Sequence, residues 1–188
     1  MTRIIGVSGS LRRGSFNAAL LRAAVELAPA GVTIEVGSIR GIPLYDNDVE
    51  TADGIPPAVA RLKDQFASAD GVLLVTPEYN NSIPGVFKNA IDWLSRPSSD
   101  ARRVFGGRPV AIMGTSPGRF GTLLSQTAWL PVVRTLGMRP WYDIPMYVSN
   151  AGQVFDASGA LVDSATRERV AQFMAGFAKF ASETNKRA

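Results

Sequence analysis

Val72-Leu73-Leu74-Val75 is apolar at every position. A strand with one wet face alternates polar and apolar residues, so a run with no polar face must be covered on both sides. That demand points to the interior of a parallel sheet with helices above and below it. The rest of the chain supplies the other layers. Ile4-Ile5-Gly6-Val7 is a second apolar run, ending in Ser8-Gly9-Ser10. Thr33-Ile34-Glu35-Val36 alternates, Val110-Ala111-Ile112-Met113 reads as a fourth strand, and Met138 to Tyr142 as a fifth. Between them, apolar residues recur at helical spacing. Phe16, Ala19, Leu20, Ala23 and Leu27 form one stripe, ended by Pro29-Ala30-Gly31. Val59, Leu62 and Phe66 form another, and Val86, Phe87, Ala90, Ile91 and Leu94 a third, opened by Pro84 and closed by Pro97. A helix is expected from Leu123 to Leu136, with Pro131 kinking or breaking it. The last helix, capped by Asp163 or Ser164, carries Val170, Phe173, Met174, Phe177 and Phe180. Residues 38–57 read as a long loop, and 143–162 as a loop or small hairpin.

Strand and helix thus alternate five times, which implies a parallel sheet with helices on both faces. Five units fit a flavodoxin-like α/β three-layer sandwich with strand order 2-1-3-4-5. The 188 residues suit one domain, residues 1–188, against an average of roughly 150 residues per domain. The chain has no cysteine and no histidine. Disulfides, thiolate or imidazole metal sites, Cys nucleophiles and Ser-His-Asp catalysis are excluded within it, and no metal is expected. Net charge is +4, but in patches: residues 1–40 hold five basic and two acidic residues, residues 41–70 six acidic and two basic. This is no nucleic-acid stripe, and no nucleic-acid partner is expected. No stretch approaches the roughly 18 apolar residues of a membrane span, and the start turns polar too soon for a signal peptide. The expectation is a cytoplasmic protein with no membrane partner.

In an open parallel sheet, ligands sit beyond the carboxyl ends of the strands, where the strand order reverses. With strands 1, 3 and 4 as neighbours, residues 8–17, 77–85 and 114–121 converge there. The first segment, Ser8-Gly9-Ser10-Leu11-Arg12-Arg13-Gly14-Ser15-Phe16-Asn17, joins a strand to a helix. A helix N-terminus carries about half a positive charge, and Ser10, Ser15, Asn17 and Arg12 add donors and charge, so the segment suits a phosphate. Gly9 and Gly14 have Walker A spacing, but Ser15 stands where that motif needs lysine, which favours a single terminal phosphate. A plain helix turn with Ser15 as N-cap is the alternative. The second segment, Pro77-Glu78-Tyr79-Asn80-Asn81-Ser82-Ile83-Pro84-Gly85, is stiffened by two prolines and offers backbone groups to the edge of a heteroaromatic ring. The third, Gly114-Thr115-Ser116-Pro117-Gly118-Arg119-Phe120-Gly121, matches a G-x-S-x-G elbow. That reading fails, because no histidine can act as base and Pro117 has no N–H for an oxyanion hole. Its small residues suit close approach to a flat ligand.

Other groupings carry less. Asp46 and Asp48 read as solvated acids. Arg96, Arg102, Arg103 and Arg108 around Asp100 read as a wet surface or an anion or partner site. Trp129, Trp141 and Tyr142 read as either core or a subunit interface.

Ser8-Gly9-Ser10-Leu11-Arg12 with Ser15-Phe16-Asn17, Pro77-Glu78-Tyr79-Asn80 with Ser82 and Pro84-Gly85, and Lys88-Asn89-Ala90-Ile91-Asp92-Trp93 together resemble the NADPH-dependent FMN reductases. The likeness is to the branch of bacterial quinone and chromate reductases and related azoreductases. It implies FMN as cofactor, NADPH or NADH as electron donor, and two-electron transfer to quinones, azo compounds, chromate or similar small acceptors by a ping-pong mechanism. By position, Ser10, Arg12, Ser15, Phe16 and Asn17 would hold the FMN phosphate. Pro77, Glu78, Tyr79, Asn80 and Ser82 would line the ring and ribityl side, and Ser116, Pro117 and Gly118 its other side, with Arg119 toward the donor. No protein side chain is expected to act as the catalyst. A homodimer or homotetramer is implied; many relatives carry an arginine directly before the helix glutamine, where this chain reads Leu123-Leu124-Ser125-Gln126. The alternatives are an NAD(P)H:FMN reductase that releases reduced FMN to a partner and a flavodoxin-like electron carrier. The +4 charge weighs against a carrier, since such proteins are typically acidic.

Overall fold

In the computed structural model, which describes residues 1–185, the chain runs β1 (Thr2–Ser8), α1 (Phe16–Glu26), β2 (Val32–Gly37), α2 (Asn47–Asp53), α3 (Pro57–Ser68) and β3 (Gly71–Val75). It continues through α4 (Gly85–Leu94), a 3-10 turn at Ser98–Asp100, α5 (Ala101–Phe105), β4 (Pro109–Thr115), α6 (Leu123–Thr135), β5 (Arg139–Pro140), β6 (Tyr147–Val148), α7 (Ala151–Val154) and α8 (Ser164–Asn185). The sheet order is β2-β1-β3-β4-β5, as the alternation predicts, and the strand pairs are parallel.

The side-chain period of a strand sorts the core into two layers. Ile4, Leu73, Val75, Ala111 and Met113 face one side and pack with Leu20 of α1 and Phe173 and Phe177 of α8. Ile5, Val7, Val72, Leu74 and Val110 face the other and pack with Leu62 and Phe66 of α3, Phe87 and Trp93 of α4, and Trp129 of α6. Each of these large buried side chains contributes roughly 1.5–3 kcal/mol relative to exposure. All five positions of β3 are buried. In α8, Val170, Phe173, Met174 and Phe177 are buried and Phe180 partly so, and Asp163 Oδ2 caps the helix by accepting from Thr166 N–H at 2.7 Å.

Three expectations need correction. The predicted fifth strand, Met138 to Tyr142, is a strand only at Arg139–Pro140. The last ladder bond runs from Trp141 N–H to the Val110 carbonyl at 2.8 Å, while the Trp141 ring packs edge-on against Phe173, ring centroids 5.1 Å apart. The rest of that sheet position is filled by β6, which pairs with Gly114 and Thr115 at the far end of β4. Within the expected long loop 38–57 lies α2, capped by Asp46, whose side chain accepts from Asp48 N–H. None of its residues is buried, so it has no apolar period to read. Third, of the kink or break expected at Pro131 the break does not occur: α6 runs from Leu123 to Thr135 with Pro131 inside it.

Trp129 and Trp141 are core, whereas Tyr142 is exposed. Among the described residues, no helix is long and apolar enough to cross a membrane.

Candidate functional site

β1 and β3 end level with one another and β4 two residues further on: Ser8 is in register with Val75, and Val75 with Met113. The three loops that follow therefore leave the sheet side by side. Backbone bonds fix their exits. Gly9 N–H donates to Val75 C=O at 2.9 Å and Thr76 N–H to Met113 C=O at 2.9 Å. Glycines allow the close packing. A Cβ on Gly9 would lie 2.2 Å from the Phe87 ring, and one on Gly114 would lie 2.2 Å from both the Thr76 carbonyl oxygen and Thr122 Oγ.

In the first loop, Ser15 is the N-cap of α1, its Oγ accepting from Ala18 N–H at 3.2 Å. The capping alternative is therefore realised, and it leaves the helix tip open. Among the described residues, the backbone N–H groups of Phe16 and Asn17 have no acceptor in the protein. Ser10 Oγ accepts from Arg12 N–H at 3.4 Å, and the exposed Arg12 guanidinium sits 5.5 Å from the Phe16 ring centroid. Asn17 has a different duty. Its amide clamps Thr115 from both sides, donating to the Thr115 carbonyl at 2.8 Å and accepting from its N–H at 3.0 Å. This stitches the start of α1 to the end of β4. Only the backbone of Asn17 then remains for an anion.

In the second loop, Tyr79 and Ser82 exchange two backbone bonds of 3.1 Å around Asn80 and Asn81. Both asparagines have positive φ, 50° and 61°, the signature of a type I′ turn. Asparagine tolerates that conformation better than other non-glycine residues. Tyr79 is half exposed at the turn. The backbone N–H groups of Glu78, Asn80 and Asn81 have no acceptor among the described residues. The Glu78 carboxylate turns away to α6, accepting from Leu124 N–H at 2.8 Å and Ser125 N–H at 2.9 Å.

In the third loop, Ser116 Oγ donates to the Gly121 carbonyl at 2.6 Å and accepts from Gly118 N–H at 3.2 Å, so its hydroxyl closes the turn. Pro117, Gly118 and Arg119 are exposed beyond it, and Phe120 is 75% exposed.

The structure thus brings all three predicted segments to one edge. Two further groups there escaped the sequence reading. Ser8 Oγ and Thr115 Oγ1 are buried without a hydrogen-bond partner among the described residues. A buried hydroxyl with no partner costs about 1–3 kcal/mol. Such groups at strand ends beside open helix amides suit a polar ligand with acceptor oxygens. Free amides on a rigid turn suit the polar edge of a ring. Both fit a flavin mononucleotide. No group of three or more Asp and Glu side chains that could hold a metal occurs among the described residues.

Comparison with known proteins agrees with this geometry. Residues 2–153 match the family model of NADPH-dependent FMN reductase. The chain is 46% identical over 170 residues to an NAD(P)H-dependent FMN reductase of Pseudomonas aeruginosa, covering 90% of each chain. It is 42% identical over 176 residues to a 2-hydroxy-1,4-benzoquinone reductase of a Burkholderia species, covering 94% of each. Its backbone superimposes on the flavoenzyme NAD(P)H:(acceptor) oxidoreductase FerB of Paracoccus denitrificans with a TM-score of 0.87, at 31% identity and over 98% of this chain and 99% of that one. The chain belongs to the NADPH-dependent FMN reductase family.

Proposed function

We propose that this chain acts as one reductase domain that binds FMN across the three loops and moves two electrons from NADPH or NADH to small acceptors, quinones first among them. One observation carries the reading: open helix amides, unpartnered hydroxyls and a rigid turn with free amides all lie at the edge where β1, β3 and β4 end. FMN, when bound, supplies the two-electron redox chemistry. The protein supplies grip and orientation. Ser10, Arg12, Ser15 and the amides of Phe16 and Asn17 hold the phosphate. Each charge-assisted bond there contributes about 1.5–3 kcal/mol. Pro77, Glu78, Tyr79, Asn80 and Ser82 present the second loop to the ring, mainly through its backbone. Ser116, Pro117 and Gly118 form a low wall on the other side.

No side chain in this rim is a general base, and hydride transfer needs none. The amides of the second loop stabilise negative charge where it develops. Arg119, exposed on the third loop, attracts the anionic donor. An open rim serves donor and acceptor in alternation, which gives ping-pong order and tolerates quinones, azo compounds and chromate. Quinone as acceptor is supported by the names of the relatives, among them quinone reductases of Pseudomonas putida and Escherichia coli. A homodimer or homotetramer accords with the exposed apolar side chains of Phe120 on the third loop and Leu124 and Leu130 on α6.

Initial rates measured with NADPH and a benzoquinone varied together test the reading. Parallel reciprocal lines are expected. Intersecting lines, or no NADPH oxidation by the FMN-loaded protein, would reject it.

A further inference from the structure

Glu78 sits in the loop that faces the ring, yet its carboxylate engages the N-terminus of α6 rather than the open edge. One oxygen, Oε2, accepts from two successive backbone amides, Leu124 at 2.8 Å and Ser125 at 2.9 Å. Those amides belong to the first turn of α6, which no side chain of the preceding residue caps: Thr122 makes no capping bond. Helix N-termini leave such amides without intrahelical partners and favour negative charge. A carboxylate 46 residues earlier in the chain therefore does the work of an N-cap. The tie is doubled one step back. Ser125 Oγ lies 2.9 Å from Thr76 Oγ, Trp129 Nε1–H donates to the same Thr76 oxygen at 3.1 Å, and Thr76 Oγ donates to the Pro77 carbonyl at 2.9 Å. Thr76, Ser125 and Trp129 are buried. Gln126, next on α6, donates to the Met146 carbonyl at 3.0 Å, so α6 is itself anchored to the segment before β6.

We propose that Glu78 is a positioning residue: its carboxylate fastens the loop after β3 to α6 and so sets where the Tyr79–Ser82 turn and its free amides meet the ring. The arrangement has two consequences. The acid's charge is balanced by the helix terminus, so it does not oppose electron density on a ring nearby. The ring end of the site is also indexed to α6, independently of the phosphate end, which is built on α1.

The proposal rests on the FMN reading above, and the test separates the two. Hydrogen exchange in the FMN-free protein reads the latch alone. Glu78→Ala should speed exchange in segments 76–84 and 122–126 and leave the α1 segment unchanged. Dissociation constants then read its effect on the ring. If the loop is held in place only about one tenth of the time without the latch, FMN and riboflavin both bind about tenfold more weakly. Equal losses are the mark of a ring-end effect, because riboflavin lacks the phosphate. The visible spectrum of bound FMN should also move toward that of free FMN. Glu78→Gln keeps a neutral acceptor in the same place and should recover most of the affinity, within about threefold of wild type for both ligands, since a neutral bond is roughly half as strong as a charge-assisted one. Should Glu78→Ala fail to fold, the Gln variant carries the test through the same shared loss and faster exchange. Unchanged exchange and unchanged ligand affinity in a folded variant would overturn the proposal, as would a loss confined to FMN. If wild type binds neither FMN nor riboflavin, the functional reading fails, while the exchange data still decide whether the latch exists.

Discussion

Two polar regions of this molecule are built in opposite ways. On the flank where α3, α5 and the segment after β2 meet, charged groups are answered within the protein. Lys63, only 3% exposed, pairs with Asp100 at 2.7 Å and donates to the Arg96 carbonyl. Arg103 bridges Asp100 and Asp64, at 2.6 and 3.1 Å. Arg96 binds Glu50 at 2.8 Å and lies over the Tyr45 ring, whose hydroxyl donates to the same carboxylate. Arg108 fills the carbonyls of Ala67, Ala69, Arg103 and Val104. At the carboxyl edge of the sheet the reverse holds among the described residues: amides at the tip of α1 and on the Tyr79–Ser82 turn are open, and two buried hydroxyls have no partner. Folding favours satisfied polar groups, so a concentration of unsatisfied ones marks where a ligand completes the structure. Of the arginines around Asp100 that invite an anion-site reading from sequence, Arg96, Arg103 and Arg108 belong to a structural network, and Arg102 is exposed.

Substitutions can break the contrast. Asp100→Ala leaves Lys63 buried and unpaired, which should cost about 3–5 kcal/mol. Adding Lys63→Met should recover much of that loss, because an apolar replacement needs no partner. Thermal or urea melts check both, and FMN affinity per folded molecule should not move. At the other region the signs exchange. Arg12→Ala with Ser15→Ala should weaken FMN by about 100-fold, or about 2.7 kcal/mol. Stability should fall by only about 1 kcal/mol, from the lost helix cap. Riboflavin affinity in that variant should stay near wild type. Asn80→Ala, at positive φ, should cost about 1 kcal/mol in stability, whereas Asn80→Gly should be nearly neutral.

The gentlest probe is pH. Paired with Arg103 and Lys63, the Asp100 carboxyl is held well below the usual carboxylate range, and Arg96 lowers that of Glu50. A depressed folded value means the unfolded chain takes up protons first. The stability from these pairs is complete above the unfolded carboxylate values of about 3.9–4.3 and is lost as pH falls toward the folded ones. Acid melts of wild type and Asp100→Asn should differ above pH 5 and converge below it.

Much of this was legible in the sequence. Unbroken apolar runs require burial on both faces, so β1, β3 and β4, the two core layers and the meeting of three loops follow from composition at short range. The failures share a cause. The predicted fifth strand stops after the Trp141 N–H bond to Val110, where the Trp141 ring turns into the core beside Phe173, a tertiary contact that local sequence does not announce. α2 is mostly polar and buries none of its residues, held by its cap and by Glu50 on Arg96, which no periodicity announces. Asn17 on Thr115 and Glu78 on α6 join residues 98 and 46 positions apart. Their types suggested ligand contacts, and only the fold assigns those side chains to the scaffold while leaving their backbones at the rim.

The central claim is that three loops make one cradle. Hydrogen exchange with and without FMN tests it most directly. Protection should appear together in segments 9–18, 76–83 and 115–121, with the flank at 96–108 unaffected. Protection confined to one segment, or none at saturating FMN in a folded protein, would contradict it.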